Sequence, residues 1–239
     1  MPGITGAADF HLYGADHWAA LILTVLAVVA ACVWARRTPD PGARRRAARG
    51  LAVLLAFSEV TQTVLRIADG TWTAASSLPL ELCDVALVVC VVALWTFRVG
   101  AAELAYFWGL AGTAAAILSP DLDDGFPHHE YLTFFAHHGG VVVAAIFLTA
   151  GVGITPRQGA WLRVTGWTLA YAGVAGAINL TFGTNYFYLR QKPSGGGLLD
   201  LFGPWPYYLF GGALLCVLLF FLLDLPWRRT RSDSGSGSE

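Results

Sequence analysis

Apolar positions gather along the chain into seven long runs, at about 16–35, 48–68, 80–97, 101–118, 131–152, 160–180 and 205–225, separated by polar joints that are mostly short. A hydrocarbon core of roughly 30 Å is crossed by about 20 apolar residues of helix. Each run is close to that length. The pattern predicts an all-α, polytopic membrane bundle of about seven transmembrane helices. Two joints are longer. SPDLDDGFPHHE, between runs four and five, is acidic and then His-rich. TFGTNYFYLRQKPSGGGLLDLFGPWPYY, before the last run, is aromatic, and Pro193, Pro204, Pro206 and the run 195–197 of glycines forbid one continuous helix there. Irregular backbone at membrane depth persists only against protein or a wet cavity, so this segment is expected to dip against the bundle.

Composition agrees. Of 239 residues, 56% are hydrophobic and 13% charged, against about a quarter charged in soluble domains. The net charge of −1 hides an asymmetry. Arg36, Arg37, Arg44, Arg45, Arg46, Arg49, Arg98, Arg157, Arg163, Arg228, Arg229 and Arg231 fall in or beside alternate joints, on one side of the bundle. Arg66, Arg190 and Lys192 lie at the other face, where Asp9, Asp16, Asp69, Asp121, Asp123, Asp124, Glu130 and Asp200 cluster. The positive-inside rule then predicts an external N-terminus and a cytoplasmic C-terminus. The opening MPGITGAADFHLYGADHW has neither a basic start nor a small-residue cleavage site, so the first helix is expected to be retained. A single transmembrane domain over 1–227 and a disordered cytoplasmic tail over 228–239 follow. The basic rim reads as a topology signal and a contact for anionic lipid. Nucleic acid is not expected as a partner, and no cofactor or metal is expected.

Four runs place polar side chains at matching depth in the outer half. In the second, Glu59, Thr63 and Arg66 form an i, i+4, i+7 row beside Gln62. The third opens SLPLELCD, so Glu81, Cys83 and Asp84 fall in its first turns, with Pro79 suited to a helix start. The fifth places His137 and His138 roughly two turns deep. Asn179 and Asn185 bracket the outer end of the sixth.

Each feature also has a plainer reading. The Glu59–Arg66 row can be a structural network, although ionisable groups inside membranes more often mark function. His128 and His129 read as solvated loop residues, and His11 and His17 carry less signal still. Trp205, Tyr207 and Tyr208 read as interfacial aromatics. Adjacent residues on a helix point about 100° apart, so one of His137 and His138 is expected at a shared site while the other packs or bonds nearby backbone. Cys32, Cys90 and Cys216 sit among Ala, Val and Leu, where a thiol behaves as a small hydrophobe.

Cys83 is the cysteine with polar neighbours. A helix N-terminus and a nearby imidazole favour the thiolate, with His137 or His138 as base. Against this, Glu81 and Asp84 disfavour a further negative charge unless Arg66 or a proton offsets them.

SLPLELCD, FPHHEYLTFFAHHG and NLTFGTNYFYLRQKPSGGGLLDLFGPWPYYL together resemble the YwaF-like family of integral membrane proteins. That family is similar in turn to eukaryotic transmembrane protein 164. The resemblance covers nearly all seven runs. It implies a lipid acyltransferase whose membrane cysteine is the nucleophile, a role that falls on Cys83 with His138 as partner.

The combined expectation is a lipid-modifying enzyme of the cell membrane, performing acyl transfer or acyl-ester hydrolysis on membrane lipids. Cys83, His138, Asp84 and Glu81 are its catalytic candidates. Glu59, Arg66, His137, Asn179, Asn185 and Tyr186 line the substrate cavity, with Asn185 or Tyr186 placed to stabilise an oxyanion. The alternative is a transporter or solute-binding protein using the same polar cavity.

Overall fold

A computed structural model of the chain describes residues 9–192 and 198–235. Pro193, the 195–197 glycine run and residues 236–239 lie outside the described residues. Among the described residues the fold is helical, with one isolated bridge between Asp9 and Asp124. The helices are α1 (Ala15–Arg37), α2 (Pro41–Ala68), α3 (Leu82–Thr96), α4 (Val99–Leu118), α5 (His129–Gly151), α6 (Ala160–Phe182) and α7 (Tyr207–Gly235). α4 and α5 each contain one π-turn, at Gly109–Thr113 and Phe147–Gly151. Five helices, α1, α2, α4, α5 and α7, are long and apolar enough to cross a membrane, while α3, with 15 residues, is shorter. α6 matches α1 in length, but Arg163 and Asn179 dilute its apolar run.

Element limits differ from the apolar runs where a cap decides them. α2 begins at Pro41, well before its apolar run, so the basic residues lie within the helix. The Asp40 carboxylate accepts from the Gly42 N–H at 2.7 Å and the Ala43 N–H at 3.0 Å. Pro41 supplies a first position that needs no donor. The Gly42 N–H, ahead of the other contacts, holds the Asp40 carboxyl below its ordinary pKa. α3 begins at Leu82 because Asp84 reaches back to the Glu81 N–H at 3.0 Å, half of a capping box. α7 continues to Gly235, past the domain limit read from sequence at 227.

α5 is the central helix: 67% of its most apolar stretch is buried, against 11% for α1 and for α2. Small residues let its neighbours approach closely. Ala86, Cys90 and Ala93 of α3, Ala102 and Ala105 of α4, and Val141 and Ala144 of α5 are fully or almost fully buried. Leu54, Phe57, Leu180 and Leu214 are exposed on the outside of the bundle. Such an apolar exterior would be an anomaly in water and is the expected surface in lipid. The protein is a multi-pass integral membrane helical bundle.

Both ends are tied by polar contacts. At the Arg-rich end, the buried Glu103 of α4 accepts from Arg157 Nε at 3.0 Å and Nη2 at 2.9 Å, and from Arg163 Nη2 at 2.8 Å. This clamp fixes the start of α6 on α4. At the opposite end His17 accepts from the Tyr13 N–H at 3.0 Å and donates to the Ile117 carbonyl at 2.8 Å, joining α1 to α4. Tyr131 donates to the Asp16 carbonyl at 2.8 Å.

Candidate functional site

Three helices bring titratable groups together. α2 contributes Glu59, the first turn of α3 contributes Cys83 and Asp84, and α5 contributes His137 and His138. Cys83 Sγ and one ring nitrogen from each histidine lie within 4.8 Å of one another. So do one oxygen each of Glu59 and Asp84 and one nitrogen of His137. His137 belongs to both groups and is almost fully buried.

The two histidines differ in their second nitrogen. His137 Nε2 lies 3.3 Å from the Cys83 carbonyl, and its Nδ1 lies 3.1 Å from Glu59 Oε2. His138 Nδ1 lies 2.9 Å from the Phe134 carbonyl, one turn back on the same helix. A carbonyl only accepts, so His138 carries its proton on Nδ1 and presents a lone pair at Nε2. The rings stack with centroids 4.7 Å apart, and Phe134 stacks on His138 at 4.1 Å. The expectation that one histidine alone would reach the site is corrected by this geometry. The 100° turn between them is absorbed by stacking, and Cys83 sits within reach of both.

Asp84 Oδ1 lies 3.8 Å from Cys83 Sγ, while Oδ2 is held by the Glu81 N–H. Glu81 itself turns away from the cluster. Its Oε2 accepts from the Phe187 N–H at 2.9 Å, which docks the 3-10 turn Tyr186–Tyr188 against the start of α3. Tyr171 of α6 donates to the Leu80 carbonyl beside it.

The remaining candidates serve the loop. Asn179 is buried and bonded to Tyr186 through both its carbonyl and its amide. Asn185 Oδ1 accepts from the Arg190 and Gln191 N–H groups at 2.9 and 3.0 Å, and its Nδ2 donates to the Gln191 carbonyl at 2.9 Å. The Tyr186 hydroxyl donates to the Ala74 carbonyl at 2.7 Å and accepts from the Leu78 N–H at 3.2 Å. These three side chains are committed to holding the loop after α6 rather than directed at the Cys83 cluster. Arg66 ends α2, its carbonyl accepting from Thr71 and Trp72 at 3.0 Å each, and its guanidinium forms no ion pair among the described residues.

His128 and His129, read as solvated loop residues, are half-buried and paired. His129 Nε2 lies 3.0 Å from Asp69 and His128 Nδ1 3.6 Å from Asp124. Trp205 and Tyr208 donate to the Leu189 and Tyr188 carbonyls at 3.2 and 2.6 Å, so these aromatics also fasten the segment between α6 and α7. Glu103 and Tyr171 carried no motif. The signal for Glu103 was a lone carboxylate at the Arg-rich end of an apolar run.

Across the α2–α5 contact from the cluster lies an apolar groove of about 880 Å³, open to the outside of the bundle. Leu23 and Ala27 of α1, Leu51 and Leu54 of α2, and Phe135 and Gly140 of α5 are among its walls. Ser58 and Ala136, which flank Glu59 and His137 in sequence, also line it.

No curated protein and no solved structure matches the chain. A match to the TMEM164 family extends over residues 12–224, from before α1 into α7. With that span covering nearly every helix and all the residues of the Cys83 cluster, the chain belongs to the TMEM164 family.

Proposed function

We propose that the protein is a lipid-modifying enzyme of the cell membrane, transferring or hydrolysing an acyl ester through Cys83. The observation that carries this reading is the placement of Cys83 Sγ within 4.8 Å of a nitrogen of both His137 and His138, in the first turn of α3. A helix N-terminus stabilises a thiolate, and an adjacent imidazole generates it.

In this reading His138 Nε2 takes the thiol proton and the Cys83 sulfur attacks the acyl carbonyl. The ester C–O bond breaks, the lysolipid oxygen leaves with the proton from His138, and a thioester remains on Cys83. A lipid hydroxyl or water then gives its proton to His138 and takes the acyl group, restoring the thiol. Every proton and electron pair is returned. The open apolar groove beside the α2–α5 contact supports a substrate with an acyl chain. We further assign seven spans with the N-terminus outside and the C-terminus in the cytoplasm, on the segregation of the basic residues.

The test is acyl labelling of the purified protein by a phospholipid bearing an alkyne-tagged acyl chain. Label on the wild type, removed by hydroxylamine and absent from Cys83→Ala, is the expected result. His138→Ala should slow labelling by roughly the 10²–10⁴-fold of a lost general base. Full activity in Cys83→Ser, or equal labelling of wild type and Cys83→Ala, would sink the thioester and favour transport through the same polar site.

A further inference from the structure

His137 poses a problem of protons. Its Nε2 lies 3.3 Å from the Cys83 carbonyl, which only accepts, so Nε2 carries a hydrogen. In the neutral imidazole Nδ1 is then a bare lone pair. Yet Nδ1 faces the Glu59 carboxylate oxygen at 3.1 Å. Two lone pairs at that distance repel unless something positive lies between them.

A bridging proton does not fit the geometry. Both His137 Nδ1 and Glu59 Oε2 are buried from solvent and neither makes a hydrogen bond. The two atoms are 3.1 Å apart, yet the contact does not meet hydrogen-bond geometry. Asp84 joins them from α3: one oxygen each of Asp84 and Glu59 and one ring nitrogen of His137 lie within 4.8 Å of one another. Oδ2 is held by the Glu81 N–H, while Oδ1 has only the weak Cys83 thiol as a donor, at 3.8 Å.

We infer that Glu59, Asp84 and His137 together bind a divalent transition-metal ion, with Zn²⁺ or Mn²⁺ as the species that suit one imidazole and two carboxylates. A tetrahedral ion with bonds of about 2.0–2.2 Å holds its ligand atoms roughly 3.4 Å apart. The Nδ1–Oε2 pair is already near that spacing at 3.1 Å. The Nε2–H to carbonyl contact is the outer-shell bond that metal-ligating histidines usually make, fixing the ring and its tautomer. Three protein ligands leave a coordination position open, as reactive sites do.

The ion also answers an electrostatic difficulty. Two carboxylates on facing helices inside a membrane need compensating charge. Arg66 forms no ion pair with either among the described residues. A divalent cation offsets both. The inference stands on these three residues and does not require the acyl-transfer reading.

The experiment is metal analysis of the full-length protein in detergent, stripped with EDTA, reloaded with Zn²⁺ and desalted. About one ion per chain is expected for the wild type. Glu59→Gln, Asp84→Asn and His137→Gln should each weaken Zn²⁺ binding by more than the roughly 10–100-fold that losing a supporting outer-shell group costs. Cys83→Ser and His138→Gln should retain the ion. Loading the wild type with Co²⁺ gives a second readout that needs no variant to fold. Visible d–d bands without a thiolate-to-cobalt charge-transfer band are expected. No retained ion in the wild type would overturn the proposal. So would a strong thiolate band, or loss of the ion in Cys83→Ser with retention in Glu59→Gln, because the metal would then sit on Cys83, His137 and His138. Metal binding without acyl labelling would remove the acyl-transfer reading alone, and labelling of a protein that holds no ion would remove the metal alone.

Discussion

Asn179 holds the main chain of Tyr186 from both sides: its Oδ1 accepts the Tyr186 N–H and its Nδ2 donates to the Tyr186 carbonyl, each at 2.8 Å. The Thr184 hydroxyl adds a third bond to Oδ1 at 2.7 Å. A side-chain amide here does the work of a strand partner for a loop that has none. Through Tyr186 the effect extends to α3, because the tyrosine hydroxyl fastens Ala74 and Leu78 and the neighbouring Phe187 N–H binds Glu81.

Asn179→Ala should therefore act on stability before it acts on chemistry. It leaves two buried main-chain groups and a hydroxyl short of partners, at about 1–3 kcal/mol for each group that stays unpaired. A loss of about 2–5 kcal/mol is expected, read as a lower midpoint in thermal unfolding in detergent. Faster tryptic cleavage at the exposed Arg190 should accompany it. An unchanged midpoint with lost acyl labelling would instead return Asn179 to the substrate site.

Orientation is tested by single introduced thiols in a chain whose native cysteines have been blocked. Asp123 lies beside the histidine loop between α4 and α5, while Arg45 sits at the Arg-rich end with its guanidinium over Phe97 at 5.1 Å. An impermeant maleimide added outside intact cells should modify Asp123→Cys and leave Arg45→Cys unmodified until the membrane is opened. The opposite result would invert the bundle and place the Cys83 cluster in the inner half.

The helices were legible because membrane spans announce themselves by length and composition, and all seven predicted runs fall on observed helices. Their ends were less so: the basic stretch after Asp40 reads as a loop by charge, yet a cap and a first-position proline make it helix. The convergence of Glu59, Cys83, Asp84 and the histidines was legible as matching positions on three of the four polar-bearing runs. Their pairing was not. Depth says nothing of rotation, so the i, i+7 relation of Glu59 to Arg66 suggested one shared face, whereas Glu59 meets His137 and Arg66 forms no ion pair among the described residues. The loop roles of Asn179, Asn185 and Tyr186 were hidden for another reason. A loop's hydrogen bonds depend on where its backbone folds back, which no periodicity encodes.

The separation of α2 and α5 is set one turn from the cluster, at Gly140. Gly140 lies three residues after His137 and Leu55 four before Glu59, so the two pairs share facing surfaces. A methyl on Gly140 would sit 2.6 Å from Leu55 Cδ2. On helix propensity alone Gly→Ala should stabilise by roughly 1 kcal/mol. Gly173→Ala on α6, where nothing lies within 4 Å of the added methyl, should show that neutral-to-favourable effect. Gly140→Ala should reverse the sign, costing about 1–3 kcal/mol through overpacking. Because the obstacle is the end of a flexible side chain, Leu55→Ala in the same molecule should recover most of the loss, a coupling that a double-mutant cycle measures. Gly140→Leu should go further and draw His137 away from Glu59, lowering both acyl labelling and retained Zn²⁺ while the chain stays helical by circular dichroism. A higher midpoint for Gly140→Ala would show that the helices do not meet here at the distance on which the His137–Glu59 contact depends.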